Sequence, residues 1–395
     1  MKICIINSFY YPDIVGGAEL SVLKLAETLY ELGNEVHVIC TSNLERDEVI
    51  NGVIIHRIVV NNSYTPMKML GPYRNLNKFK RILYRIVDIY NIFNYKLLFQ
   101  KLSEIKPDVI HINNIDGISS VIWSVCKKMR IPAVQTLRDY SLLDSKHFIK
   151  NVIRKAIYLK LSNNINVVTA PSKYTLNRFV EKRYFEKSEK RVVYNAIDFS
   201  ESEVNKLLQK KKKDLIKKKN IKFVFLGRLE KEKGIDILLE SFRRIDNNMI
   251  ELLIAGKGEY EEFVKNIAKE DKRVVYKGFL SEEEKNSLLM SSDVLIIPSN
   301  WPEPFGRVII EAYKFGLPVI GTNIGGIPEV IDNNITGLLV EANNKEQLSE
   351  AIDYFCESDN ILNLLDNIIN ELKKYEIKNQ CITFIDIYKS IVESK

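Results

Sequence analysis

Glu303 and Glu311 are the two acidic residues of the stretch WPEPFGRVIIEAYKFG, with seven residues between them. The prolines and Gly306 exclude a helix before about Phe305, and a helix is then predicted to run to Gly316 as its C-terminal cap. Glu303 therefore belongs to a loop. Glu311 falls on the second helical turn, roughly 7 to 8 Å further along at about 1.5 Å per residue. Two carboxylates so spaced can accept from different pairs of vicinal hydroxyls on one extended ligand.

Cations suited to a diphosphate occur in FLGRLEKEKG, where Arg228 follows a predicted strand and Lys233 comes five residues later. A guanidinium binds phosphate in a bidentate manner, and an ammonium adds a mobile point charge. The loop also has the composition of an ordinary solvated loop, so both interpretations stay open. The amides of Phe305 and Gly306, at the helix start, are further phosphate donors. Hydroxyl acceptors beside phosphate donors are what a nucleotide sugar requires.

A glycine pair, Gly16 and Gly17, precedes a helix predicted to begin near Ala18. Such a pair lets a phosphate or a sugar approach bare amides at a helix N-terminus, although a simple tight turn explains it equally well. The pattern is not GxGxxG, so nicotinamide binding is not supported.

The elements that position these residues form two series. Residues 2–40 and a second segment starting near residue 221 each read strand, loop, helix, strand. Short apolar runs alternating with amphipathic helices are typical of parallel α/β sheets, in which ligands bind beyond the carboxyl ends of the strands. We therefore predict an α/β protein with two doubly wound domains whose loops face each other across a cleft.

Bulk composition is that of a globular protein, with 395 residues, 46% hydrophobic residues and a net charge of +7. The charge suits an anionic ligand or surface. The five cysteines form no CxxC pair and do not cluster with the four histidines, so no metal site is predicted and a reducing, cytoplasmic location is expected. Neither a signal peptide nor a membrane-spanning run is recognised.

Basic segments allow a second kind of partner. The lysine run at 207–220 is expected to be solvated, and it lacks the interleaved aromatics of a nucleic-acid site. Residues 78–105 are predicted to form one long helix with a single apolar stripe. Either this stripe faces the core and the basic side of the helix is exposed to solvent, or the segment docks on an anionic membrane surface. Residues 146–161 form a second basic amphipathic stretch. The stripe comprises Ile82, Ile86, Ile89, Phe93 and Leu97.

Several motifs occur together in one order: GGAE, GRLEKEKG, AGKGE, KGFLSEEE, the two glutamates with seven residues between them, and GGIPEVIDNNITGLLV. In this combination the chain resembles the retaining glycosyltransferases of family 4, also called glycosyl transferases group 1. The resemblance implies the GT-B fold, with two facing Rossmann-like domains. It implies an acceptor-binding domain at 1–196, a nucleotide-sugar-binding domain at 197–372, and a last helix at 373–395 that returns to the first domain.

The resemblance also implies residue roles. Arg228 and Lys233 would bind the donor diphosphate, Glu303 the hydroxyls of the transferred sugar, and Glu311 the ribose. The donor-binding set as a whole would be Gly17, Arg228, Lys233, Gly258, Gly278, Phe279, Leu280, Glu303, Pro304, Phe305, Gly306 and Glu311, with the backbone of 278–280 bordering the base. Gly16, His111 and Arg138 would lie on the acceptor side.

One position departs from the family pattern. Many relatives have a histidine where this chain has Arg138, which is followed by Asp139. A guanidinium cannot act as a general base, although it could hold a donor phosphate or an acidic acceptor. His111 either points into the cleft or is a strand-end histidine hydrogen-bonded to backbone. In the family chemistry the departing phosphate takes the acceptor proton, so no protein base is required. A role for Asp139 stays open.

The expected activity is transfer of a sugar from a nucleoside-diphosphate sugar to a hydroxyl of a growing glycan, with retention and without a metal. A surface polysaccharide or a lipid-linked oligosaccharide is the expected product. The alternatives are a nucleotide-sugar epimerase or a phosphorylase of the same fold, and a non-catalytic nucleotide-sugar binding protein. The enzyme is expected in the cytoplasm, peripheral on the inner face of a membrane, with no nucleic-acid partner.

Overall fold

The computed structural model describes residues 1–14, 16–66, 77–143, 148–218 and 220–394. Its internal contacts divide the chain into two compact units. The first unit contains Met1–Asn195 together with Ile377–Lys395, and the second contains Ala196–Glu376.

The first unit contains a sheet whose strands, within the described ranges, are β1 Lys2–Ile6, β2 Glu35–Thr41, β3 Arg46–Ile50, β4 Val53–Ile58, β5 Val109–Ile112, β6 Ala133–Thr136, β7 Val167–Ala170 and β8 Glu189–Val192. Their order is β3-β4-β2-β1-β5-β6-β7-β8, and only the edge pair β3–β4 is antiparallel. Asn51 and Gly52 join that pair with positive φ at both positions, as a two-residue hairpin turn requires.

Helices connect these strands. The described ones before residue 196 are α1 Gly17–Glu31, α2 Lys78–Val87, α3 Ile92–Ile105, α4 Val121–Met129, α5 Phe148–Ser162 and α6 Lys173–Glu181. The central strands are buried almost throughout, because helices cover both faces of a parallel sheet.

The second unit has an all-parallel sheet of β9 Ile221–Leu226, β10 Ile250–Ala255, β11 Val274–Gly278, β12 Val294–Ile297, β13 Val319–Thr322 and β14 Gly337–Val340, in the order β11-β10-β9-β12-β13-β14. Its helices are α7 Glu201–Lys217, α8 Ile235–Arg243, α9 Glu261–Glu270, α10 Glu282–Ser291, α11 Arg307–Tyr313, α12 Lys345–Tyr354, α13 Ser358–Leu362 and α14 Leu365–Leu372. Three short 3₁₀ turns lie at Lys231–Lys233, Ile327–Glu329 and Lys373–Tyr375.

Each sheet has a point at which the strand order reverses. In the first unit it lies between β1 and β5, and in the second between β9 and β12. In open α/β sheets ligands bind beyond the carboxyl ends of the strands at such a point. The predicted α/β class with two doubly wound, Rossmann-like sheets is confirmed.

The last helix, α15, spans Ile377–Glu393 and packs on α1 within the first unit. Its buried face includes Cys381, Phe384 and Tyr388. The first unit is therefore assembled from both ends of the chain. Across the described ranges, no helix combines the length and apolar character needed to cross a bilayer.

Residues 78–105 do not form the single helix predicted above. The chain leaves α2 after Val87 and begins α3 at Ile92, because the Asn91 side chain accepts from the amides of Phe93 and Asn94 as an N-terminal cap. The core-facing interpretation of the stripe is also wrong for most of its length. Ile82, Ile86 and Phe93 are exposed, Leu97 is half-buried, and only Ile89 is buried.

The lysine run is less solvated than predicted. Its first part continues α7, whose apolar face is buried through Val204, Leu208 and Leu215. Lys211 is packed with that face, and its Nζ donates to the carbonyl oxygens of Ser292 (2.7 Å) and Phe315 (3.3 Å). Residue 219 lies outside the described part of the chain, as do residues 146–147 of the second basic stretch.

Candidate functional site

The loops after β9 and β12 meet at the strand-order reversal of the second unit. Gly234 adopts φ 68° at the start of α8, and a Cβ there would lie 1.9 Å from the carbonyl oxygen of Pro298. The Asn300 amide donates to the Glu232 carbonyl at 3.1 Å. The glycine that ends the GRLEKEKG motif is thus needed for this close approach.

Glu303 is held at this junction by two side chains. Lys233 Nζ lies 2.5 Å from Glu303 Oε1, and Ser299 Oγ donates to the same oxygen at 2.9 Å. Both charged groups are largely shielded from solvent, which strengthens their attraction. The structure therefore brings together two residues that the sequence predicted separately. Ser299 was not predicted, since a serine in a loop carries no distinctive pattern.

A second glycine pair supports the Glu303 backbone. Gly325 has φ 68°, and a Cβ there would lie 2.6 Å from both N and O of Glu303. The Gly326 amide donates to the Glu303 carbonyl at 2.7 Å. A Cβ at Gly326 would lie 2.5 Å from the carbonyl oxygen of Pro304. The GGIPEV motif thus positions the candidate sugar-binding loop, a role the sequence alone did not reveal.

Phe305 anchors the other end of that loop. Its ring is buried and lies edge-on to Tyr375, with centroids 5.8 Å apart. Gly306 follows with φ 85° as the N-terminal cap of α11. This helix ends at Tyr313, and a turn leads to Gly316 at φ 64°, so the helix is shorter than predicted.

Glu311 lies between two cations. Lys285 Nζ is 2.9 Å from one carboxylate oxygen, and Arg307 Nε is 2.8 Å from the other. Burial alone would raise the pKa of Glu311, but Arg307 and Lys285 outweigh it and hold the pKa below its ordinary value. The carboxylate is therefore charged at neutral pH. Arg307 could have been found from its i, i+4 spacing, whereas Lys285 lies 26 residues away on α10.

Arg228 is the exposed cation of the site. Its guanidinium pairs with the Glu230 carboxylate at 2.7 Å in the loop after β9. The next loop packs against this one, since the Leu229 amide donates to the Lys257 carbonyl at 2.8 Å. A Cβ at Gly258 would lie only 2.3 Å from the Leu229 carbonyl oxygen. Gly258 is therefore a close-approach residue between two strand-end loops.

The candidate base-binding segment follows β11. Gly278 has φ 74°, and the open space around it would admit a Cβ. Phe279 is largely exposed, with Lys257 Nζ 5.6 Å from its ring centroid, and Leu280 is half-buried. An exposed aromatic ring beside a glycine that leaves open space suits stacking against a planar ring.

In the first unit the glycine pair starts α1. Gly16 is extended, Gly17 is the first helical residue, and both are exposed. The Gly16 amide donates to Glu19 Oε2 at 2.8 Å, so a glutamate of the same helix caps this end. Helix α1 begins one residue before the predicted Ala18, and Val15 lies outside the described residues.

Arg138 is fixed beyond the carboxyl end of β6. Its Nε donates to Asn113 Oδ1 at 2.9 Å and its Nη1 to Asn195 Oδ1 at 2.7 Å. Asp139 accepts from the Ser141 amide at 2.8 Å. Two side-chain amides, those of Asn113 and Asn195, therefore help to fix the guanidinium of Arg138.

His111 is not an acceptor-side residue in this structure. Its ring has no exposed surface, and its two nitrogens lie 2.6 Å from Tyr388 Oη and 2.7 Å from Thr136 Oγ1. Burial first, and then the nearby Arg138 charge, lower the pKa of His111 well below its usual range. The prediction of an acceptor contact fails because β5 directs this side chain into the core, towards α15. Its partners are side chains rather than the backbone.

Two family descriptions match the chain in succession. Residues 15–201 match Glycosyltransferase Family 4, and residues 208–375 match Glycosyl transferases group 1. An uncharacterized 42.6 kDa protein in the cps region of Klebsiella pneumoniae is 30% identical over 84% of this chain and 87% of its own. The O-antigen biosynthesis glycosyltransferase WclY of Escherichia coli is 26% identical over 68% of this chain and 76% of its own length. The chain belongs to the group 1, family 4 glycosyltransferases, as the resemblance indicated. It is an enzyme of the glycosyltransferase class.

Solved structures agree at the level of the fold. Sucrose-phosphate synthase of Thermosynechococcus elongatus superimposes with a TM-score of 0.74 at 18% identity, covering 100% of this chain and 99% of that one. HepE of Anabaena, solved in complex with UDP-glucose, superimposes with a TM-score of 0.68 at 20% identity. The match covers 99% of this chain and 100% of the HepE chain. This chain has the GT-B fold.

Proposed function

We propose that this glycosyltransferase moves a sugar from a nucleoside-diphosphate sugar to a hydroxyl of a growing glycan, with retention of the anomeric configuration. The contact of Lys233 with Glu303 carries the proposal. A glycosyl phosphate has hydroxyl donors and anionic oxygens side by side, and this ion pair offers a carboxylate and an ammonium side by side. Glu311, a charged carboxylate between Lys285 and Arg307 with 14% of its side chain exposed, is proposed to accept from the ribose hydroxyls.

In the proposed reaction the donor's anomeric carbon loses its bond to the diphosphate and gains a bond to the acceptor oxygen on the same face. The departing phosphate takes the acceptor proton, so atoms and charge balance without a protein base. Arg228, Lys233 and the amides of Phe305 and Gly306 would stabilise the negative charge on the leaving diphosphate. Arg138 would serve an anionic group of the acceptor, with Asp139 beside it. We propose that no metal takes part, which unchanged turnover in a chelator would support.

The acceptor is proposed to belong to a surface polysaccharide or a lipid-linked oligosaccharide. Two relatives support this class, since one lies in a cps region and the other is named for O-antigen biosynthesis. The HepE structure contains UDP-glucose, which supports a nucleotide-sugar donor. We also propose a cytoplasmic location, peripheral on the inner face of a membrane.

Glu303→Ala tests the proposal. Removing the sugar-facing carboxylate is expected to lower turnover by at least about a hundredfold, the usual loss when one preorganised polar contact in an active site is removed. Product and anomeric configuration would be read by NMR after incubation with a nucleotide sugar and a glycan acceptor. Glu262→Ala, which removes an acid of the same unit that is 80% exposed, is the matched control. Unchanged turnover of the E303A enzyme, or a new nucleotide sugar formed without any acceptor, would contradict the proposal; the latter would indicate an epimerase.

A further inference from the structure

Helix α2 exposes an unusual amount of apolar surface. Phe79 is 73% exposed, Ile82 44%, Leu83 41% and Ile86 48%. Tyr84 is the residue that this helix buries. Four large apolar side chains in ten residues therefore face solvent.

The exposed residues share one face of the helix. At about 100° per residue, the four apolar side chains fall within one sector, and Tyr84 falls roughly on the opposite side. An ordinary surface helix turns its apolar stripe to the core and its charges to water. In α2 the apolar stripe points away from the core instead.

Cations border this apolar face. Residues 78–87 include Lys78, Lys80, Arg81 and Arg85 and contain no acidic residue. Two large apolar residues at the start of α3, Ile92 and Phe93, are also 56% and 61% exposed. Basic residues around a strongly amphipathic apolar face are typical of helices that lie in a membrane interface.

We propose that α2 docks the protein on a bilayer that contains anionic lipid. Its apolar side chains would enter the acyl boundary, and Lys78, Lys80 and Arg85 would contact the headgroups. A second copy of this chain fits less well, since a two-fold interface would bring the three cations that border the face, Lys78, Lys80 and Arg85, against three like charges. The inference deepens the proposed function by assigning the surface that meets the membrane.

Vesicle sedimentation tests the apolar face. Vesicles of phosphatidylcholine alone are compared with vesicles that also contain phosphatidylglycerol, with no donor or acceptor present. The wild type is expected to bind the anionic vesicles, and binding should weaken as salt rises. The F79S/I86S variant should bind at least tenfold more weakly. The L44S/V49S control, which alters two apolar residues of the same unit that are 71% and 66% exposed, should bind like the wild type.

A second pair of variants tests the charge. Each basic residue near an anionic surface strengthens binding by about fivefold. The affinity of K78Q/K80Q/R85Q for anionic vesicles should therefore be roughly a hundredfold lower than that of the wild type. The control K127Q/K128Q/K187Q removes three exposed lysines elsewhere in the first unit and should lose little. All variants should keep the wild-type melting temperature and the same affinity for nucleoside diphosphate.

Three results would overturn the docking proposal. One is equal recovery with neutral and anionic vesicles. Another is a loss in the controls as large as in the α2 variants. The third is a wild-type protein that is dimeric in light scattering and binds no vesicles, together with an F79S/I86S variant that is monomeric. Each would leave the proposed sugar transfer untouched, because donor binding is measured separately on the same proteins.

Discussion

Lys233 and Glu303 form a candidate donor-binding pair although they are 70 positions apart in the sequence. The sequence marked each as a candidate because each sits in a loop after a predicted strand. The two residues meet because β9 and β12 are neighbours in the sheet. Local sequence patterns do not predict which strands are neighbours. Ser299 and Lys285 were missed for the same reason: their roles depend on which loop or helix lies opposite.

His111 allows a test of pH dependence at the residue scale. Because burial lowers the pKa of the folded form, the unfolded chain takes up a proton below about pH 6.5 that the native state does not. Stability should therefore fall as pH drops below this value, with a slope approaching about 1.4 kcal/mol per pH unit. The H111Q variant lacks this contribution.

Melting temperatures of wild type and H111Q between pH 7.5 and 5.5 would check the expectation. The variant starts lower at pH 7.5, since it loses hydrogen bonds to Tyr388 and Thr136. The gap should narrow on acidification. A constant gap would show that His111 titrates normally in the folded protein.

At the scale of elements, the GGIPEV turn is predicted to control the Glu303 loop. Gly325→Ala introduces both an unfavourable positive φ and a Cβ within 2.6 Å of the Glu303 backbone. Gly33→Ala is the matched control, because φ is 84° there but nothing lies within 4 Å of the new Cβ. The positive φ alone is expected to lower the stability of an alanine variant by about 1 to 2 kcal/mol.

The G325A enzyme should therefore lose more stability than G33A and should also bind donor more weakly. Thermal melts and nucleotide-sugar titrations of both variants would measure this. Equal melting temperatures with unchanged donor affinity in G325A would show that the Glu303 loop does not depend on Gly325.

Strand and helix patterns predicted both sheets because short apolar runs bounded by glycine and proline are strong signals. They failed between α2 and α3, where Asn91 caps a new helix in the middle of a continuous 3.6-residue stripe. Periodicity also cannot tell which side of a helix faces the core. The exposed stripe of α2 is the clearest instance, since its pattern reads as an ordinary amphipathic helix.

In the whole molecule, helix α15 packs into the first unit although it follows the second unit in the sequence. Phe384 is fully buried in that unit and lies 4.7 Å from the His111 ring, measured between centroids. Phe384→Ala should cost about 3 to 5 kcal/mol, the usual loss for a buried phenylalanine. Ile382→Ala on the same helix removes an exposed side chain and should cost little. Urea unfolding of both variants would check this, and equal losses would contradict the packing of α15.

Binding of a nucleoside-diphosphate sugar by the strand-end loops of the second unit can be measured by calorimetric titration. UDP-glucose, UDP-N-acetylglucosamine and GDP-mannose would be titrated into wild type, R228A and K231A, the last being a control in the same loop. We expect one donor to bind, R228A to weaken that binding by about 1.5 to 3 kcal/mol, and K231A to bind like the wild type. If a donor binds R228A as tightly as the wild type, then Arg228 does not hold the diphosphate.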